Sequence, residues 1–382
     1  MENITHSLVG ATLAELALPQ AATPAQRRLF FTAGIVAANL PDADLLYTRI
    51  TAAPLGYLLH HRGHTHTIVG LAVQALIVGL VCALPAIRNR LHGVRNRFAL
   101  LIGIALSSHL LLDSWNSYGI HPFWPLDNRW FYGDSIYIIE PWLWLLLGVT
   151  LALNAQAKRT RIIVGALLAL LALPALALVS LGMIGVPVFA ALAIGAAIAV
   201  AVLAKVAPRT RSIGTLIASS AFVIAMFGAR HVVEQHARET LAHAPSARVI
   251  DIVLSPELAN PFCWNALAIV KDDVAGEFVM TRGSVPLGTV ARCGGSSRGQ
   301  VVWSEPVRQT LESVRRLVRA DCRVRAWMQF GRAPVVGAGE IADMRFGGLQ
   351  GGNFSAMPLA APASACPEHL TAWTMPRADL LQ

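Results

Sequence analysis

The sequence predicts a mainly α protein: a polytopic transmembrane helical bundle over residues 1–230, followed by a small soluble α+β domain over residues 245–382. Three observations carry this. Of 382 residues, 55% are hydrophobic and 14% charged, with a mean hydropathy of +0.54, too apolar for an ordinary soluble protein. The apolarity is uneven: Ile162 to Ala204 holds no charged residue, whereas Arg, Glu and Asp return from Arg230 onward at the frequency of a soluble domain. Finally, the basic residues of the first half cluster in short loops between apolar runs, which is how membrane proteins fix their orientation. The formal net charge of +9 is therefore read as topology. A nucleic-acid partner is excluded, since no basic helix or aromatic-interleaved patch of a known reader occurs. Met1-Glu2-Asn3 lacks the basic start of a signal peptide, and His6 interrupts what would follow.

Ile4 to Leu18 and Leu29 to Leu40 are apolar helical stretches shorter than the ~20 residues a full span needs, so they read as half-buried or re-entrant helices. Pro41 stops the second, and Pro54 marks a turn before a histidine-rich segment. Longer apolar runs follow at Thr67 to Ile87, Phe98 to Leu112, Ile136 to Ala157, Ile162 to Leu181, Val186 to Ala204 and Ser212 to Ala229. Arg88, Arg90, Arg95 and Arg97 follow the first run, Lys158, Arg159 and Arg161 the third, and Lys205, Arg209 and Arg211 the fifth. The positive-inside rule makes these loops cytoplasmic and sets the C-terminal domain outside the cytoplasm. Trp115, Trp124, Trp130, Trp142 and Trp144 read as interface anchors.

In the C-terminal domain, Arg248 to Leu254, Ala266 to Lys271, Glu277 to Thr281 and Val324 to Gln329 read as strands, and Glu305 to Ala320 has helical periodicity. The tail after Gly347 reads as irregular. Four of the five cysteines, Cys263, Cys293, Cys322 and Cys366, fall here. Their even number suits two disulfides in an oxidising compartment, with free buried thiols as the alternative.

Four polar clusters share the N-terminal third: His6; Asp42 and Asp44 after Pro41; His60-His61-Arg62-Gly63-His64-Thr65-His66; and His109 with Asp113. The predicted topology puts the histidine segment, His109 and Asp113 at the outer membrane face, and His6, Asp42 and Asp44 there as well if the two short segments cross or dip. Four imidazoles and a guanidinium at the end of a membrane-length segment are costly to hold there without a ligand, which points to a metal. His109 and Asp113, four apart, place an imidazole and a carboxylate on one helix face. Asp42 and Asp44 reach one ion only if the backbone bends; otherwise one of them orients a ligand histidine. His61 with His66, or His60 with His64, supplies further nitrogens. Arg62 suits an anionic group because its guanidinium is a fixed bidentate donor. His121, Asp127, Asp134 and Glu140 are second-rank candidates beside the outer loop. Ligands of this kind without clustered thiolates favour zinc, manganese or iron, and a set this rich has room for two ions. Such an ion would activate water and polarise an acyl or phosphoryl oxygen, with Asp42, Asp44 or a free histidine such as His64 accepting the proton. Other hydrolase signatures, His-Glu-x-x-His and Gly-x-Ser-x-Gly, do not occur.

Thr5-His6, Leu40-Pro41-Asp42-Ala43-Asp44, His61-Arg62-Gly63-His64-Thr65-His66, and His109-Leu110-Leu111-Leu112-Asp113 followed by Gly119 and Pro122 together resemble the YdjM-type family of membrane-bound metal-dependent hydrolases over roughly residues 1 to 145. The resemblance implies an inner-membrane, multi-pass protein with His6, Asp42, Asp44, His61, His66, His109 and Asp113 at the metal; His64 falls where the family pattern varies. Ser255 to Trp264 is similar to the extension on longer members. Motif order also resembles zinc-dependent phospholipases C, which implies a lipid or phosphoester substrate. The expectation is a metal-dependent hydrolase, most simply a zinc enzyme, working at the bilayer surface. The alternatives are a non-catalytic membrane protein with a structural cluster and a partner-binding C-terminal domain, or an ion- or proton-coupled transporter, although no inverted repeat is visible.

Overall fold

The computed structural model describes residues 1–159, 162, 165–166, 180, 185–289, 291–295, 297–337, 339–349, 353–359, 366 and 371–382. Helices dominate the N-terminal region, and two antiparallel sheets build the C-terminal one.

Helix α1 (Asn3–Ala17) starts at Glu2, whose carboxylate accepts from Thr5 N at 2.9 Å. Helix α2 (Pro24–Asn39) begins earlier than its apolar run because Thr23 and Gln26 form a capping box ahead of Pro24. Gly10 and Gly34 lie at the α1–α2 crossing, where a Cβ on either would run into the other's carbonyl, so the two backbones pack directly. After α2 the chain tightens into a 3₁₀ turn (Leu40–Leu46) started by Pro41. The short α3 (Leu55–His60) and a 3₁₀ turn (His64–His66) lead into α4 (Ile68–Ala83), capped by Thr67, which accepts from Gly70 N. This span ends four residues before Ile87, because Leu84-Pro85 breaks it and a short α5 (Pro85–Arg88) follows. The long α6 (Arg95–Asp113) is followed by a loop and then by α7 (Pro141–Asn154), which starts at Pro141 rather than Ile136. The run expected from Ile162 to Leu181 lies mostly outside the described residues. Next come α8 (Val186–Leu203) and α9 (Pro208–Thr240), the latter continuing eleven residues past Ala229.

By length and composition, three stretches among the described residues can cross a membrane: 24–50, 186–203 and 208–240. A fourth exists if 55–66 and 68–83, bent by 68°, form one broken span. An Arg211–Asn154–Ser212 hydrogen-bond chain and a Thr150–Thr215 contact at 2.6 Å stitch α7 to α9.

The first sheet contains β1 (Ala247–Glu257), β2 (Asn260–Asp272), β3 (Glu277–Pro286) and β4 (Val302–Trp303) in that order, with β5 (Val307–Thr310) also on β3. Alternation along β1 and β2 divides the core. Val253, Leu267 and Ile269 face α10 (Leu311–Ala320), α11 (Cys322–Trp327) and the second sheet; Ile252, Leu254, Trp264 and Ala268 face helical residues such as Leu143, Val223 and Val233. The second sheet is β6 (Pro334–Gly337), β7 (Glu340–Asp343) and β8 (Met357–Pro358). Two expectations change here. Val324 to Gln329 is not a strand, since Asp321 caps a helix through Arg323 N; residues 307–310, assigned to a helix, pair with β3 instead. Among the described residues after Gly347 the regular structure is β8 and a 3₁₀ turn (Ala378–Leu380), in line with an irregular tail, and that tail is docked, with Trp373 and Leu380 buried. The disulfides are Cys263–Cys293 and Cys322–Cys366, and Cys82 is free.

Candidate metal centre

Each polar cluster arrives on a different element. His6 sits in the first turns of α1, Asp42 and Asp44 in the 3₁₀ turn after α2, His61 and His66 around the kink before α4, and His109 and Asp113 on the last turns of α6. The kink depends on Arg62, whose φ of +57° is rare for a residue with a side chain. Asp44 Oδ2 holds it there by accepting from Arg62 N at 2.8 Å, and the same oxygen takes the Thr65 hydroxyl at 2.9 Å.

His66 and His109 define the centre. His109 Nδ1 lies 2.6 Å from the Ala38 carbonyl and must donate to it; His66 Nδ1 lies 3.1 Å from Asp44 Oδ2. Both rings therefore turn Nε2 inward, where a neutral ring presents its lone pair. The two Nε2 atoms are 3.0 Å apart. Asp42 Oδ1 stands 3.5 Å from each, and Asp113 Oδ2 stands 3.3 Å from His66 Nε2 and 3.4 Å from His109 Nε2. Two lone pairs and two carboxylates that close repel one another unless a cation lies among them.

The surroundings fix these ligands. Asp113 Oδ1 accepts from Arg62 Nη2 at 3.0 Å and contacts the Met1 amine, while Oδ2 has no hydrogen-bond donor and is left for the centre. Asp42 Oδ2 accepts from Asn3 Nδ2 at 2.9 Å. His66, His109 and Asp113 are buried, and Asp42, with its side chain 13% exposed, marks the open side. Ligand atoms of Asp42, His66, His109 and Asp113 all fall within 4.8 Å of one another, as do those of Asp42, Asp44 and His61. This N₂O₂ set fits a divalent ion.

The remaining candidates take other places. His6 belongs to neither group: its ring stacks on His109 at 3.8 Å, with Nε2 3.4 Å from Asp113 Oδ1. His61 Nδ1 lies 3.1 Å from Asp44 Oδ1 at the half-open rim, and its ring stacks on Tyr57. Arg62 points inward, its guanidinium bonded to Asp113 and Asn116 and lying over the Tyr118 ring at 4.8 Å. His60 bonds Thr51, and His64 packs against Trp124 and Trp373. His121 is sandwiched between Trp130 and Trp373, and burial pushes its imidazole down to about 3. Asp127 pairs with exposed Arg129, Asp134 with Arg332, and Glu140 caps α7 through Trp142 N. Three of the expected interface tryptophans bond within the protein: Trp130 to the Gln329 carbonyl, Trp142 to the Ala259 carbonyl, and Trp144 to Glu2 and Thr5. Asn3, Thr65, Asn116 and Tyr118 support the centre without having been singled out in the sequence. Asn116 and Tyr118 lie just past the His109-x-x-x-Asp113 helix, and that proximity is the one signal that could have found them.

Residues 1–185 match the family model described as YdjM inner membrane protein. This N-terminal region is similar to the YdjM family. The match contains every residue of the metal centre and ends before α8, so the C-terminal domain lies beyond it. No curated protein and no solved structure matches the chain. The inner-membrane description of the matching family and several membrane-length helices agree on a membrane protein, and its N-terminal region holds a His/Asp cluster able to bind a metal ion.

Proposed function

We propose that the chain is a membrane-bound, metal-dependent hydrolase that cleaves an ester or phosphoester bond in a lipid or lipid-linked substrate at the outer face of the inner membrane. The observation that carries this reading is the pair of facing Nε2 atoms of His66 and His109 between the Asp42 and Asp113 carboxylates. Those four side chains would hold the ion, zinc first and manganese or iron otherwise, which would supply Lewis acidity toward water and the scissile group. Asp44 orients His66 and keeps the Arg62 turn closed. His61, with Nδ1 on Asp44, keeps Nε2 for a proton at the half-open rim, so it is the proton acceptor in this reading. Arg62 stabilises the buried Asp113 carboxylate rather than gripping substrate. Two disulfides and the distribution of basic loops support an extracytoplasmic C-terminal domain.

The test is turnover of phospholipids and chromogenic phosphodiesters in mixed micelles by metal-replete protein. Hydrolysis that His61→Ala lowers at least a hundredfold, with the metal retained, supports the reading; absence of turnover across esters and phosphoesters refutes it. A purely structural ion is the second reading, favoured by the near-complete burial of His66, His109 and Asp113. It predicts that metal removal lowers the melting temperature of a protein that hydrolyses nothing.

A further inference from the structure

We propose that Arg345, in the C-terminal domain, is a positioning residue for the metal centre, acting through the Asn116–Tyr118 turn and Arg62 on the Asp113 ligand. The inference rests on the metal-centre reading above. Arg345 is buried, and its guanidinium is preset by the Asp343 carboxylate at 2.9 to 3.1 Å. The remaining Nη1 donors cross to the membrane domain and take the carbonyls of Ser117 at 2.8 Å and Tyr118 at 3.3 Å. That turn in turn holds Arg62: Asn116 Oδ1 accepts from Arg62 Nη1 at 3.1 Å and from Tyr118 N at 2.9 Å, and the Tyr118 ring lies under the guanidinium. Arg62 then pins Asp113 Oδ1, which leaves Oδ2 toward His66 and His109. The side chains of Arg345, Asn116, Tyr118, Arg62 and Asp113 are buried, and each guanidinium acts through a planar fork that a lysine ammonium cannot reproduce. A domain outside the family match thus sets the orientation of a ligand inside it.

A double-mutant cycle on the full detergent-solubilised chain tests this, with Zn²⁺ affinity read by chelator competition and folding checked by size exclusion and thermal melting. Arg345→Met and Asn116→Ala should each weaken Zn²⁺ about tenfold or more. The double variant should bind no more weakly than the weaker single, because both act through Arg62. Arg345→Lys should fall between wild type and Arg345→Met, and it takes the place of Arg345→Met in the cycle if that chain does not fold. Tight zinc in wild type with unchanged affinity in the Arg345 variant, or losses that multiply in the double, overturns the inference alone. Absence of zinc in wild type overturns the metal-centre reading and this inference with it.

Discussion

His66 and His109 face each other through Nε2 atoms 3.0 Å apart, each turned there by an oxygen acceptor on its far nitrogen. One acceptor is the Ala38 carbonyl at the end of α2, the other the Asp44 carboxylate in the turn that follows. The same short segment, Ala38 to Asp44, therefore orients both imidazoles and also carries the Asp42 ligand.

Asp44 is an orienting residue in this account, so its removal should weaken metal binding without deleting a ligand of the four-residue set. Asp44→Ala is expected to lower Zn²⁺ affinity about 10- to 100-fold. It also strands the buried Arg62 N donor, at a cost of about 1–3 kcal/mol, and takes the acceptor from the half-buried Thr65 hydroxyl. Chelator competition and a denaturant melt of the apo chain measure the two effects separately; unchanged affinity would remove Asp44 from the site.

Binding of one ion by both Nε2 atoms requires that neither carries a proton. Calorimetric titration at pH 7 in buffers of differing ionisation heat should show about one proton released per ion bound. A binding heat independent of buffer would contradict this.

Protonation of His121 should destabilise the docked C-terminal domain. Its folded pKa, pushed by burial to about 3, lies below the ordinary 6.5, so the folded chain keeps the ring neutral while the unfolded chain takes up a proton. The resulting stability is complete above about pH 6.5 and is lost progressively as pH falls toward 3. His121→Phe keeps a flat ring between Trp130 and Trp373 and removes the titration. Its melting temperature should fall less than that of wild type between pH 7 and pH 5; parallel falls would refute the assignment.

Much of the helical layout and of the His/Asp cluster was legible in the sequence because both depend on short-range spacing. The four-residue interval of His109 and Asp113 puts them on one face, and Pro41 supplies the bend that brings Asp42 and Asp44 in. Strands β1 to β3 declared themselves by alternation, whereas Val324 to Gln329 was misread: six residues with apolar positions suit either period, and the Asp321 cap decides for helix. The inward turn of Arg62 was not legible. A guanidinium beside histidines looks free to bind an anion until Asn116, Tyr118 and Asp113 are seen to occupy it. The family resemblance places His6 among the ligands; its ring stacks on His109 beside the four-residue group, with Nε2 3.4 Å from Asp113 Oδ1.

The most direct test is elemental analysis of detergent-purified chain, prepared without chelator, beside its His109→Ala/Asp113→Ala double variant. The account predicts stoichiometric zinc, manganese or iron in the wild type and its loss in the variant. No metal in either after resupply, or equal metal in both, would contradict it.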